Sequence, residues 1–250
     1  MKKRHWLPSG LILLLTASVV FPVGYLIFAA LSRPEGLRQM LLTEPFTLYR
    51  FWKSLALCAA VVFLHGVISC MGGFAFAKLR FRWRRGLYFG LIVLMMMPVQ
   101  VTLVPGYIIL DRLGLLDTWA ALALPAIFSP FGTVLMAQVF RSVPTDILDA
   151  ARVDGAHLWQ VLWCIAVPAA RGGLVSLILL TFVDVWNMVE QPMVFLQNAR
   201  DYPLGVFLAV QSGEAISLAG SLLSMLPVLL LFLYFRDELS EGVEFLGVKG

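Results

Sequence analysis

The sequence predicts an all-α integral membrane fold with six transmembrane helices, and three observations carry that prediction. Of the 250 residues, 60% are hydrophobic and 14% are charged. Soluble domains average roughly 45–50% and 25%. The apolar residues gather in continuous runs of the ~20-residue length an α-helix needs to cross ~30 Å of hydrocarbon. They do not alternate with polar ones, as strands of a membrane barrel would. The basic residues, which give a formal charge of +4, sit in short segments between the runs. That placement fits loops at a membrane surface better than a nucleic-acid face.

The six spans are expected at Leu7–Leu31, Leu55–Ala77, Leu87–Leu110, Trp119–Phe140, Leu174–Leu196 and Ile216–Phe235. Residues 1–250 are thus read as one transmembrane domain, with a loop at 141–171 and a tail at 236–250. The first span follows a basic head, "MKKRH", which also suits a signal peptide. Its apolar run continues past Pro22 to Leu31 without a small-x-small cleavage site, so it is read as an uncleaved helix. Pro8, Pro22, Pro98, Pro105, Pro125, Pro130 and Pro227 fall in or near the spans and imply kinks.

Orientation follows from Lys and Arg placement. With both termini cytoplasmic, the inside segments hold Lys2, Lys3, Arg4, Lys78, Arg80, Arg82, Arg84, Arg85, Arg141, Arg152, Arg171, Arg236 and Lys249. The outside segments hold Arg33, Arg38, Arg50, Lys53, Arg112 and Arg200, thirteen against six. "KLRFRWRRG" reads as a topology anchor at anionic headgroups, with Trp83 and Tyr88 in the aromatic belt.

The fourth and fifth spans are joined by a long charged loop, which includes "DAARVDGAHLWQVLWCIAVP" from Asp149 to Pro168. Pro144 and Asp146 are start signals for a short helix, and Gly155 is a natural left-handed stop. A second short helix, with Leu158, Trp159, Leu162 and Ile165 along its packing side, is expected to end at Pro168. Ala150, Ala151, Gly155 and Ala156 keep the element slim, and Asp149 and Asp154 place carboxylates at its tip.

Polar residues inside spans are costly and usually face a bundle interior or an aqueous cavity. Asp184, Asn187 and Gln191 recur at helical spacing and are expected to share one face of the fifth span, with Gln100 approaching it. Such a face suits a translocation path, and equally suits hydrogen bonding to neighbouring helices. His65 reads as an interhelical hydrogen-bonding residue, Met95–Met97 as packing, and Cys58, Cys70 and Cys164 as small core residues. No metal-ligand spacing, phosphate-binding glycine loop or nucleophile–base pair is found, so catalytic and metal residues are expected to be none. A membrane enzyme would need such a cluster, and a secondary transporter would show an internal repeat.

The loop resembles the Glu-Ala-Ala motif of permease subunits in binding-protein-dependent ABC importers: Glu-Ala-Ala, three residues, Gly, nine residues, Ile-x-Leu-Pro. Here Asp149-Ala150-Ala151, Gly155, Ile165, Val167 and Pro168 stand in register, with Asp149 for Glu and Val167 for Leu. "MMMPVQVTLVPGYIILDRLGLLDTWAALALP", "SPFGTVLMAQVFRSVPTDILDAARVDGA" and the closing "LGVKG" are similar to the shorter permease subunit of the maltose-type carbohydrate group. "WNMVEQP" departs from that group's fifth-span pattern while keeping Trp186, Asn187 and Pro192.

The resemblance implies a type I ABC importer permease fold in a prokaryotic cell membrane, with no cofactor in this chain. It implies a second homologous permease, two copies of an ATPase that bind ATP and Mg, and an extracytoplasmic solute-binding protein. The solute would be a sugar or oligosaccharide, or alternatively a phosphorylated polyol or peptide. Asp149, Ala150, Ala151, Asp154, Gly155 and Ala156 would seat in the ATPase, Ile165 and Pro168 would anchor the loop, and Val248 and Lys249 would make a second contact.

Overall fold

A computed structural model describes residues 6–40, 45–210 and 214–238. The chain begins with α1 (Trp6–Ser32), a short α2 (Pro34–Arg38) and the 34-residue α3 (Pro45–Lys78). At 1.5 Å per residue, α3 is about 50 Å long, enough to project beyond the hydrocarbon. Next come α4 (Arg84–Met95), α5 (Val99–Arg112), α6 (Trp119–Ile127) and α7 (Pro130–Ser142). The connecting element comprises α8 (Thr145–Val153), α9 (Leu158–Gln160), a π-helical stretch Val161–Ala166 and α10 (Val167–Ala169). The chain then passes through α11 (Arg171–Trp186), α12 (Glu190–Phe195), a 3-10 turn Ala199–Asp201, α13 (Leu204–Val210) and α14 (Glu214–Tyr234).

Among the described residues, four stretches are long and apolar enough to cross a bilayer: Leu14–Ser32, Phe46–Lys78, Trp119–Ser142 and Ile216–Tyr234. Two bent pairs supply two further candidates. The third expected span is therefore not one rod: α4 and α5 meet at 104°. Pro98 has no N–H to offer the preceding turn, and its ring drives Met97 away from helical geometry. Met95–Met97, expected to pack, lie exposed at this corner. The fifth expected span is also shorter than 174–196. Its helix stops at Trp186, and α12 is a separate element after a three-residue break. Pro22, Pro105, Pro125 and Pro227, by contrast, are absorbed within helices.

α3 is the axis of the bundle, packed against α6, α7 and α11. Around its first half lies one apolar cluster, including Leu57, Val61, Leu122, Phe182, Trp186 and Phe207. Around its second half lies another, including Cys70, Phe74, Met136, Phe140, Leu148 and Val161. Between them α3 carries a buried polar step. His65 Nδ1 donates to the Ile127 carbonyl at 2.9 Å, which leaves Nε2 to accept from Ser69 Oγ at 3.5 Å. Ile127 ends α6, so its carbonyl belongs to those a helix cannot satisfy itself. α1 and α14 lie at the edge, with apolar side chains such as Leu14, Phe21, Leu230 and Phe232 turned outward.

Two glycines let α3 and α7 approach this closely. A Cβ on Gly132 would overlap Ser69 Oγ and His65 Nε2. One on Gly73 would lie 2.6 Å from Met136 Cβ and 2.8 Å from the Ala137 backbone nitrogen. Backbone cannot yield as a flexible side chain can, so Gly73→Ala must push the helices apart. It is expected to cost ~1–3 kcal/mol, the usual range for overpacking, read as a lowered thermal midpoint of the detergent-purified protein. An unchanged midpoint would contradict the contact.

Candidate functional site

The two ends of α3 are held differently. At its start, Lys53 pairs with Asp201 at 3.0 Å and lies 4.5 Å from the Trp119 ring centre. At its end, Lys78 Nζ donates to the Val143 carbonyl at 2.6 Å, closing the C-terminus of α7 where the connecting element begins. This second bond ties the element to the bundle axis. The sequence reading counted Lys78 only as a topology charge, and a lone lysine at a span end carries no further local signal.

α8 touches the bundle through one fully buried side chain, Leu148, at 1% exposure. Asp149, Ala150 and Arg152 face outward, and Val153 is 87% exposed. Arg152 Nη1 reaches Asp149 Oδ1 at 2.9 Å, an exposed pair that contributes little to stability but holds the carboxylate in place. The helix ends in a Schellman motif. Ala156 N donates to Ala151 O at 3.0 Å and Gly155 N to Arg152 O at 3.1 Å, while Gly155 adopts φ +86°. A Cβ at Gly155 would meet nothing, so the constraint there is conformational and not spatial. Asp154 and Gly155 form the exposed tip, and Ala151 and Ala156 are half-buried against the second cluster.

The return limb departs from the expected packing face. Leu158 and Trp159 are exposed, and the buried residues are Val161, Leu162 and Ala166, with Ile165 half-buried. Leu158 and Trp159 precede the π-helical stretch Val161–Ala166, near the exposed tip, and the wider turn of that stretch sets which later residues face the bundle. Cys164 is consequently exposed, whereas Cys58 and Cys70 are buried as expected. The helix runs through Pro168 and ends at Ala169, and the chain then bends 82° into α11. The whole is a stiff protrusion: two helical limbs, a left-handed tip and an apolar root. Exposed Ile147, Val153, Leu158 and Trp159 border its acidic tip.

Asp184, Asn187 and Gln191 do not share one helix face. Asp184 lies on α11, whereas Asn187 caps its end by donating from Nδ2 to Val183 O at 2.9 Å. Gln191 belongs to α12, beyond the break. Gln100 Nε2 instead reaches Glu190, at 2.9 and 3.0 Å from its two carboxylate oxygens. Asp184, Asn187, Gln100 and Glu190 are exposed, and Gln191 is half-buried. Val248 and Lys249 lie outside the described residues.

Asp117, which sequence reasoning passed over, clamps two loops at the end opposite the protrusion. At φ 59°, its Oδ1 accepts from the backbone N–H of Gln197 at 2.9 Å and of Asn198 at 3.2 Å. Its own N–H donates to Phe195 O at 2.9 Å. The donated N–H groups hold the carboxyl below the usual carboxylate range. Since the folded value lies below the unfolded one, the clamp's contribution is complete above the ordinary carboxylate range. It is lost as pH falls through the folded value. Amide exchange at Gln197 and Asn198, corrected for intrinsic rate, is expected to accelerate only as pH falls below the ordinary carboxylate range. Asp117→Ala, which removes the acceptor oxygen, should show fast exchange throughout with no such step. Protection independent of pH in the unaltered protein would refute the clamp.

Residues 68–237 match the family model described as "Binding-protein-dependent transport system inner membrane component". The arabinooligosaccharides transport system permease protein AraQ of Halalkalibacterium halodurans is 28% identical over 205 residues, covering 80% of this chain and 74% of that one. The sn-glycerol-3-phosphate transport system permease protein UgpE of Pectobacterium atrosepticum is 28% identical over 208 residues, with the same two shares. A chain from the crystal structure of a bacterial ABC transporter involved in the import of the acidic polysaccharide alginate superposes with a TM-score of 0.74 at 22% identity. The match covers 92% of this chain and 94% of that one, and the fold is shared.

Proposed function

The chain belongs to the binding-protein-dependent transport system inner membrane component family, a non-catalytic, multi-pass membrane subunit with the type I importer permease fold, and from that premise we propose that it forms half of the translocation path of an ATP-driven importer for a sugar or oligosaccharide. A second homologous permease supplies the other half. Two copies of an ATPase bind ATP and Mg, and a solute-binding protein delivers the cargo from outside. Both termini face the cytoplasm, as the excess of arginine and lysine on that side favours.

The stiff protrusion is the observation that carries this reading. A lever must pass on motion without bending, and shifting a two-state gate from 1:99 to 99:1 takes ~5.5 kcal/mol of differential binding. The element has the means: Leu148, Val161 and Leu162 root it in the bundle, and Lys78 staples its base. Its outer surface, with Asp149, Ala150, Asp154 and Gly155 at the tip and Ala151 and Ala156 flanking, is slim enough for a cleft in the ATPase. Ile165 and Pro168 sit on the anchoring limb, and the tail residues Val248 and Lys249 make a second contact with the ATPase pair.

On the path itself, the exposed Gln100, Asp184 and Asn187 and the half-buried Gln191 face the solute. Glu190, bonded to Gln100, stands beside them. The arabinooligosaccharide relative supports a carbohydrate cargo. The glycerol-3-phosphate relative keeps a phosphorylated polyol as the second reading.

Two outcomes are expected. In a Cys164→Ser background, where only the buried Cys58 and Cys70 remain, Asp154→Cys should react with an impermeant maleimide in inverted vesicles and not in intact spheroplasts. Labelling from outside would sink the orientation. Gly155→Val should insert normally yet lose binding-protein-stimulated ATP hydrolysis by about tenfold or more, because a left-handed backbone costs a non-glycine residue ~1–2 kcal/mol. Full stimulation in that variant would remove the lever. In the reconstituted assembly, stimulation by arabinooligosaccharide but not glycerol 3-phosphate supports the carbohydrate reading, and the reverse result supports the polyol.

A further inference from the structure

Next to the protrusion, the segment between α3 and α4 folds around a cavity of about 530 Å³. Its wall carries Arg80, Arg82, Arg84 and Arg85, with Arg141 coming from the end of α7 and the Tyr88 ring beside them. No acidic side chain among the described residues lines the hollow. Among the described residues, none of these five guanidinium groups is paired with a carboxylate. Arg84 shapes the wall by donating to the Leu79 and Ala77 carbonyls at 3.0 and 3.4 Å. Arg141 lies over the Tyr88 ring, 4.5 Å from its centre, and the buried Tyr88 hydroxyl has no hydrogen-bond partner among the described residues. Five positive charges around one hollow repel one another unless an anion sits among them.

The hollow continues into an apolar groove. A cavity of about 440 Å³ between α3 and α4 is lined by Ile68, Met71, Phe76, Leu87, Leu91 and Thr133. Leu87 of the groove is the chain neighbour of Gly86 and Tyr88 of the hollow. Phe76 of the groove meets the rings of Phe81 and Tyr88 at 5.6 Å each. The groove lies where α4 has no buried residue, with Phe89, Val93 and Leu94 turned outward.

An anionic hollow-filler with an apolar extension matches both halves at once, and we propose that this site holds one anionic phospholipid. Its phosphate sits among the arginines, and an acyl chain lies along the groove between α3 and α4. A free phosphate would leave the groove empty, and an acidic protein segment would leave it uncovered. Lipid headgroups at the cytoplasmic leaflet are the anions that basic juxtamembrane segments meet. The assignment rests on the membrane reading of the chain and on the loop end of α3 facing the cytoplasm. It goes beyond a topology anchor by naming a built site with one occupant. Because Arg141 closes α7 immediately before the protrusion, the lipid would brace the base of the lever.

The test uses the full chain, with whatever subunits copurify, freed of lipid by detergent exchange. Dioleoylphosphatidylglycerol, dioleoylphosphatidylcholine and inorganic phosphate are added separately, and bound lipid is read by native mass spectrometry beside the thermal midpoint. Phosphatidylglycerol should be retained at one molecule per chain and raise the midpoint, and the other two should do neither. The exposed pair Arg82→Ala and Arg85→Ala together should weaken that binding roughly 30-fold. Leu91→Trp, which obstructs the groove and leaves every arginine in place, should weaken it independently. Equal retention of phosphatidylcholine, a full midpoint shift from phosphate alone, or unchanged binding in both variants would overturn the site. So would cross-linking of position 85 to an ATPase with no lipid retained. The maleimide and ATPase assays read orientation and coupling separately, so failure here leaves the importer reading standing.

Discussion

The close approach of α3 and α7 is the contact on which the rest of the structure depends. In hydrocarbon there is little hydrophobic drive to press helices together, so association relies on packing and on hydrogen bonds between them. Gly73 and Gly132 remove the side chains that would hold the two backbones apart. His65 and Ser69 use the space at Gly132 to satisfy the carbonyl at the end of α6. Widening this seam would strip partners from a buried polar step that no water could replace.

From the seam, rigidity passes outward to the protrusion. Leu148, Val161, Leu162 and Ala166 belong to the same apolar cluster as Phe74, Met136 and Phe140 of α3 and α7. Lys78 reinforces the junction with a bond to Val143. The tip needs little support of its own, since its Schellman turn satisfies the last carbonyls of α8. The protrusion is thus rooted on α3, and α3 also reaches Asp201 at the other end of the molecule. One 34-residue helix thus links both faces of the membrane subunit.

The arginine-lined hollow stands on the same axis. Its wall is the turn that follows α3, and its fifth arginine closes α7. The loop end of this helix pair is stapled by lysine, flanked by guanidinium groups and open to a groove. The polar residues proposed for the path are placed differently. Asp184, Asn187 and Glu190 lie where α11 breaks into α12, and irregular backbone at such depth is tolerated where it is buried in protein or lines a cavity.

The membrane class, the all-helical fold and the helix–glycine–helix were legible in the sequence. Continuous apolar length, charge placement and Gly155 are local signals, and each reports a constraint that acts within a few residues of itself. The 104° corner at Pro98, the short α11 and the π-helical return limb were not legible. Which proline breaks a helix and which is absorbed depends on whether a neighbour accepts the freed groups, and 3.6-residue periodicity cannot foresee a widened turn. The partners of Lys78, Gln100 and Asp117 were equally hidden, because they come from residues 65, 90 and 80 or more positions away. By itself, the sequence determined what this protein dissolves in and where the glycine-stopped turn of the protrusion falls. Only the tertiary structure decided which polar groups meet, because such pairings form once packing has fixed the distances between helices.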